Sequence, residues 1–263
     1  MGAWQAGALR ELEKAGIAFS SVLGFSAGSL NGAAYALGAL GVALEGWARC
    51  DRLLRLRPRL SPPALFSERP VWEQLSHAHD DERARKELRC RLVVQSTRFQ
   101  RDRWVRAVFE PGGRWDGPLA LHLQASCAIP LVFPPVRVAH EGESHTLFDG
   151  GVPVGCPFTF DPLDGCADII VLEMVRPEEI GRRPWNPIEG LDQRGRETCR
   201  RHMDDGVAHW RAARPGCRVY RVWPSRYLGS MLDFSSAKAR QSAAQGAEDA
   251  KAFLRDPARH LAE

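Results

Sequence analysis

Gly24-Phe25-Ser26-Ala27-Gly28 is the stretch of this chain whose residue types and spacing most plainly could do chemistry. A serine with glycine two residues before and two after suits a tight strand-to-helix turn, where the hydroxyl projects from a strained backbone. Ile17 to Phe25 predicts a short buried strand, and Ala27 to Leu44, rich in Ala and Gly, predicts a helix packed on all sides. A helix beginning at Ala27 aims its positive end and its first N–H groups at the serine, which favours an alkoxide or oxyanion there. The implied chemistry is acyl transfer through a serine nucleophile. A serine that merely caps a glycine-rich turn is the plainer alternative, and the strand-turn-helix setting weighs against it.

A serine hydroxyl needs a base. Asp149 follows the apolar Leu147-Phe148 and precedes Gly150-Gly151, so it stands at a strand end facing a glycine turn. An ordinary aspartate, with a pKa of about 3.9, is a weak base at neutral pH, and burial would strengthen it. Asp-Gly-Gly is also a common β-turn. The other arrangement is a Ser-Asp-His triad completed by His202, His209 or His260. That order belongs to folds with several strands before the nucleophile, whereas one helix and one strand precede Ser26. The Ser-Asp pair therefore ranks above the triad, and His202 and His209 read as exposed in a charged stretch.

The elements that must position these groups follow from the apolar pattern. Trp4, Ala8, Leu9 and Leu12 recur at helical spacing in Gly2–Ala15, and Gly16 stops that helix. Strands are predicted over 91–96, 136–139, 145–148, 168–174 and 218–223, with a hairpin around Glu141-Gly142-Glu143. Helices are predicted over 119–128, ending before Pro130, and over 236–255. The basic stretch Arg52 to Pro63 reads as a loop or short helix, and Arg176 to Arg196 as a long irregular excursion. Helices alternate with apolar strands without a repeat or linker, so 1–263 reads as one α/β domain.

Composition sets the bounds. Hydrophobic residues make up 44% and charged residues 26% of the 263 residues, as in ordinary globular proteins. No apolar run is long enough to span a bilayer, no signal segment opens the chain, and a cytoplasmic protein is expected. The net charge of +4 is mild and its basic residues are scattered, which gives nucleic-acid binding little support. Cys50, Cys90, Cys127, Cys156, Cys166, Cys199 and Cys217 are odd in number and lack C-x-x-C spacing, which points to reduced thiols. His77, His79, Asp80 and Asp81 could bind a metal, but a solvated turn is the better reading. Arg52 to Leu60, with Trp47 nearby, could lie on a lipid surface, though an ordinary exposed segment is the simpler reading. Ile129 to Val136 could line an acyl-chain site or form plain core.

Taken together, the blocks resemble the patatin-like phospholipase family. Gly2-Ala3-Trp4-Gln5-Ala6-Gly7-Ala8-Leu9 is similar to the end of that family's glycine-rich loop and its first helix. Gly24 through Ala33 is similar to its nucleophile turn, Ala125-Ser126-Cys127-Ala128-Ile129-Pro130-Leu131-Val132-Phe133 to its Ala-Ser-x-Ala-x-Pro-x-x-Phe block, and Phe148-Asp149-Gly150-Gly151-Val152 to its Asp-Gly-Gly motif. The resemblance implies a three-layer α/β/α sandwich around a mixed, mostly parallel sheet. It implies a Ser26–Asp149 dyad, an acyl-enzyme, an acyl lipid substrate, and no metal or organic cofactor; transient membrane-surface contact is the expectation that the Arg52–Leu60 stretch leaves open. A lipid-binding or regulatory protein with impaired catalysis, and an acyltransferase, are the alternatives.

Two places depart from the family. Val154-Gly155-Cys156-Pro157 stands where many members carry Asn-x-Pro, which bears on loop shape. At the start, Gly2 is the one remnant of the glycine loop that supplies oxyanion-hole N–H groups, with Met1 in place of a basic residue. The expectation is a chain lacking its first strand and that loop, and one lost oxyanion donor typically costs about 10²–10³ in rate.

Overall fold

The computed structural model describes residues 1–67, 72–73, 81, 86–111, 117–140, 142–151, 156, 158–231 and 233–262. In chain order the elements are α1 (Gly2–Lys14), β1 (Ser21–Phe25), α2 (Ala27–Ala36), α3 (Leu40–Trp47), the single turn α4 (Cys50–Leu53), β2 (Arg55–Leu60) and β3 (Pro63–Ser67). They continue with β4 (Arg91–Gln100), β5 (Arg103–Phe109), α5 (Leu119–Ser126), β6 (Val136–His140), β7 (Glu143–Asp149), β8 (Asp168–Leu172), α6 (Pro187–Ala213), β9 (Arg218–Val222) and α7 (Ser236–Arg255). They form two compact units, one of Met1–Ala18, Leu40–Ala48 and Pro157–Glu263, the other of Phe19–Ala39 and Arg49–Cys156.

The first unit is built on α1 against α7, with β8 and β9 paired in parallel. Trp4, Ala8 and Leu12 are fully buried one helical turn apart. The two helices meet at glycines. A Cβ at Gly7 would stand 2.0 Å from the Ala243 carbonyl oxygen, and one at Gly246 would stand 2.0 Å from that of Trp4. The Trp4 indole donates to Asp249 Oδ2 at 2.7 Å, closing the contact. Gly246→Ala should therefore cost about 2–3 kcal/mol, as overpacked interiors do, seen as a lowered denaturation midpoint. The stretch read as an irregular excursion includes the start of α6. Asn186 caps that helix by accepting the Glu189 N–H at 2.8 Å, and Pro187 takes its first position. His202, expected to be exposed, is buried on α6 and lies edge-on to Phe158 at 5.9 Å.

The second unit holds a five-stranded mixed sheet. The α/β class and the mixed sheet agree with the sequence; within this sheet β1–β4 is parallel and the other three pairings are antiparallel. β4 is buried from Leu92 to Thr97, so both faces of the sheet are covered there. Leu92 and Val94 pack with Ala33 and Ala36 of α2 and with Leu119 and Leu123 of α5. Three local differences from the sequence reading have simple causes. The helix predicted over 27–44 breaks at Gly38, whose φ of 69° closes a terminal motif with Ala39 N–H donating to Ala34 O at 2.7 Å. Arg55–Leu60 is a strand, not a loop or helix, because β3 pairs with it through a bulge beside Pro58. β5, unassigned from the sequence, returns from β4 through Arg101 and Asp102, both at positive φ as a two-residue hairpin turn requires.

Candidate active site

The sheet register brings Ser26 and Asp149 together. β5 runs along one edge of β4 from Val94 to Gln100. β1 and β7 must therefore share the other edge. β1 ends with Phe25 opposite Gln95, and β7, running the opposite way, ends with Asp149 opposite Ser96. The two strands meet tip to tip at adjacent residues of β4, and both leave the sheet there. Ser26 follows the first tip and Asp149 forms the second.

Each tip is tightly built. Ser26 has φ 50° and ψ −134° and precedes α2, a strained conformation for a residue other than glycine. Its N–H donates to the Ser126 carbonyl at 3.0 Å and to Ser126 Oγ at 2.9 Å. Its carbonyl accepts from the N–H of Ser29 at 2.9 Å and its Oγ at 2.7 Å. The Ser26 side chain is half-buried, within reach of a substrate. Gly24 lets the turn close, because a Cβ there would lie 2.4 Å from the Gly28 carbonyl oxygen. Gly150 does the same on the other side, where a Cβ would lie 2.6 Å from both Gln95 O and Phe25 Cβ. Ala27 and Gly28 start α2, and the half-buried Phe25 packs beside Gly151.

Ser126 straps the two tips together. Besides holding Ser26, its carbonyl accepts the Gly150 N–H at 3.3 Å, and its hydroxyl donates to Gln95 O at 2.6 Å. The Thr97 hydroxyl donates to the Asp149 carbonyl at 2.9 Å. Arg106, on β5, donates to the carbonyls of Gly150 and Cys156 and so pins the chain that follows Asp149.

The Asp149 carboxyl is 1% exposed. Burial pushes its pKa up to about 6; the Ser26 side chain, the Gly151 N–H and the Arg106 charge hold it from rising further. Oδ1 accepts the Gly151 N–H at 2.7 Å. Oδ2 is enclosed without a fully formed hydrogen bond, so its interaction with Ser26 is looser than one, a state common before a substrate arrives. A hydroxyl on a strained turn beside a desolvated carboxylate can form and release an acyl ester.

Among the residues singled out in the sequence, Ser26, Asp149 and their flanking glycines come together in one unit, while Gly2 opens α1 in the other. Arg106 and the strapping role of Ser126 were not read from the sequence. Val152, Val154, Gly155 and Pro157, and His77, His79 and Asp80, lie outside the described residues. Among the described residues no group of His, Cys, Asp or Glu is placed to hold a metal, and no helix is long and apolar enough to cross a membrane. The seven cysteines are free thiols.

The mixed sheet, with helices packed against β4, defines an α/β protein. The family model "Patatin-like phospholipase" matches residues 1–159, more than half of the chain, and the chain belongs to that family, whose members are lipid acyl hydrolases. No curated protein matches it. Among solved structures, VipD from Legionella pneumophila is similar at a TM-score of 0.46 and 12% identity, over 99% of this chain. This chain spans 65% of the length of that one.

Proposed function

We propose that this chain is a serine acyl hydrolase that cleaves ester bonds of lipids through Ser26 and Asp149. The observation that carries the proposal is the meeting of the β1 and β7 tips on β4. It sets a strained serine beside a buried carboxylate whose pKa of about 6 suits a base at neutral pH. Asp149 takes the Ser26 proton as the hydroxyl attacks the ester carbonyl. The alcohol leaves with a proton from Asp149, and water, deprotonated by the same carboxylate, then releases the acyl group and regenerates Ser26. The oxyanion of each tetrahedral stage is assigned to the N–H groups of Ala27 and Gly28 at the positive end of α2. The family supports an acyl lipid as substrate, and the whole chain is read as one cytoplasmic functional domain.

The test is labelling with a fluorophosphonate, which needs an activated serine but no particular lipid. The parent should label and Ser26→Ala should not. A folded parent that takes no label would overturn the hydrolase reading and leave a lipid-binding role.

The pH profile probes the base. Rate on a soluble ester should fall about tenfold per unit on the acid side, with a midpoint near 6, as Asp149 is protonated. Arg106→Met removes a cation that favours the anion, so that midpoint should move to higher pH. An unmoved midpoint with reduced rate would limit Arg106 to holding the Gly150 and Cys156 carbonyls.

A further inference from the structure

The β2–β3 hairpin carries a surface that the chemistry at Ser26 does not use. Leu60, beside its turn, is 98% exposed; Leu65 is 46% and Leu131 63% exposed. Backbone bonds fasten the loop bearing Leu131 to the hairpin: Leu65 N–H donates to Leu131 O and Phe66 N–H to Val132 O, each at 3.0 Å. Leu131 also holds a φ of 69°, in the left-handed region that residues other than glycine rarely adopt. Arg57 and Arg59, both exposed, stand on the same hairpin. With Phe66, Trp72, Leu121 and the carboxylate of Glu73 they line an open groove of about 720 Å³. Among the described residues neither arginine has an ion-pair partner.

Single exposed leucines need no explanation. Three on two hydrogen-bonded segments, on a hairpin that also carries two exposed arginines, have the pattern of an interfacial anchor. Leucines enter the acyl boundary, and arginines remain at the level of the phosphates, which attract them when the surface is anionic.

We propose that this hairpin, together with Leu131, docks the protein on an anionic lipid surface. The loop bearing Leu131 leads directly from Ser126, which holds both Ser26 and Gly150, so the docked face and the candidate site share one segment. The benefit of docking rests on the hydrolase reading; the binding itself does not.

The test is sedimentation of the full chain, as Ser26→Ala so that no lipid is consumed, with vesicles of phosphatidylcholine alone or with added phosphatidylglycerol. Anionic vesicles should bind the protein, and added salt should weaken the binding. Leu60→Ser with Leu65→Ser, and separately Arg57→Glu with Arg59→Glu, should each weaken it about tenfold or more. Unfolding temperatures should stay at the parent's, since the four side chains are exposed. Variants that bind as the parent does, or a parent that ignores anionic vesicles, would overturn the proposal. So would a dimer of the parent that the leucine variants dissolve without changing vesicle binding, since the patch would then belong to a second copy. Vesicle binding without fluorophosphonate labelling of the parent would sink the hydrolase reading and leave the docking surface standing.

Discussion

Asp149→Asn is expected to give a protein that is more stable at neutral pH and close to inactive. The Asp149 pKa of about 6 in the folded protein lies above its ordinary value of 3.8, so the folded state binds the proton more tightly than the unfolded one. Stability is then fully retained below about pH 4, declines as pH rises through 6, and above that carries the whole cost of a buried charge. Two pKa units at about 1.4 kcal/mol each put that cost near 3 kcal/mol. Asparagine is neutral throughout and can still accept the Gly151 N–H. It should therefore stabilise the fold by about 1–3 kcal/mol at pH 7–8, with the gain gone below pH 4. The same change removes the base, and hydrolysis should fall about 10³-fold. Denaturant melts at two pH values and rates on a soluble ester measure both effects. A variant less stable than the parent at pH 8 would mean that the carboxylate is not the strained group its burial indicates.

The second large effect is at Ser26. Ser26→Ala should lower turnover by about 10⁴-fold or more, because no acyl-enzyme can form and Asp149 has no hydroxyl to deprotonate. The backbone adds an independent measurement. At φ 50° and ψ −134° alanine keeps the strain of serine, whereas glycine relieves it. Ser26→Gly should therefore be more stable than Ser26→Ala by about 1 kcal/mol, a difference to which the ordinary preference of an N-cap for glycine over alanine also contributes. Equal stabilities would remove the strain argument without touching the chemical one.

Much of this site was legible as residue types. Ser26 lies between a readable strand and a readable helix, and Asp149 ends a readable strand before two glycines. Those signals are local. What joins them is not, because the meeting of two tips depends on the registers of β1 and β7 along β4. Arg106 had no signature in a chain where arginine is the common cation; its place follows only from its pairing with Thr97 between β5 and β4. The start of α6 did carry a signature, Asn186-Pro187 with Glu189, but Gly190, Gly195 and a polar composition masked it. β2 was hidden by Pro58, which discourages a strand, until β3 supplied a partner and a bulge took up the misfit. His202 looked solvated among charges because the aromatic that covers it, Phe158, lies far away in sequence.

β4 contributes no reacting atom, yet its pleat acts as a ruler on which the nucleophile and its base are marked at neighbouring graduations, Gln95 and Ser96. Such a ruler has discrete steps of about 3.3 Å, and each step also reverses the face to which a side chain points. Substitutions elsewhere in the unit can tilt or loosen the pair but cannot slide it gradually apart. One residue inserted between Gln95 and Ser96 would separate the two groups in a single jump and turn one of them away, so the spacing on which the proposed chemistry depends is inherited whole or lost whole.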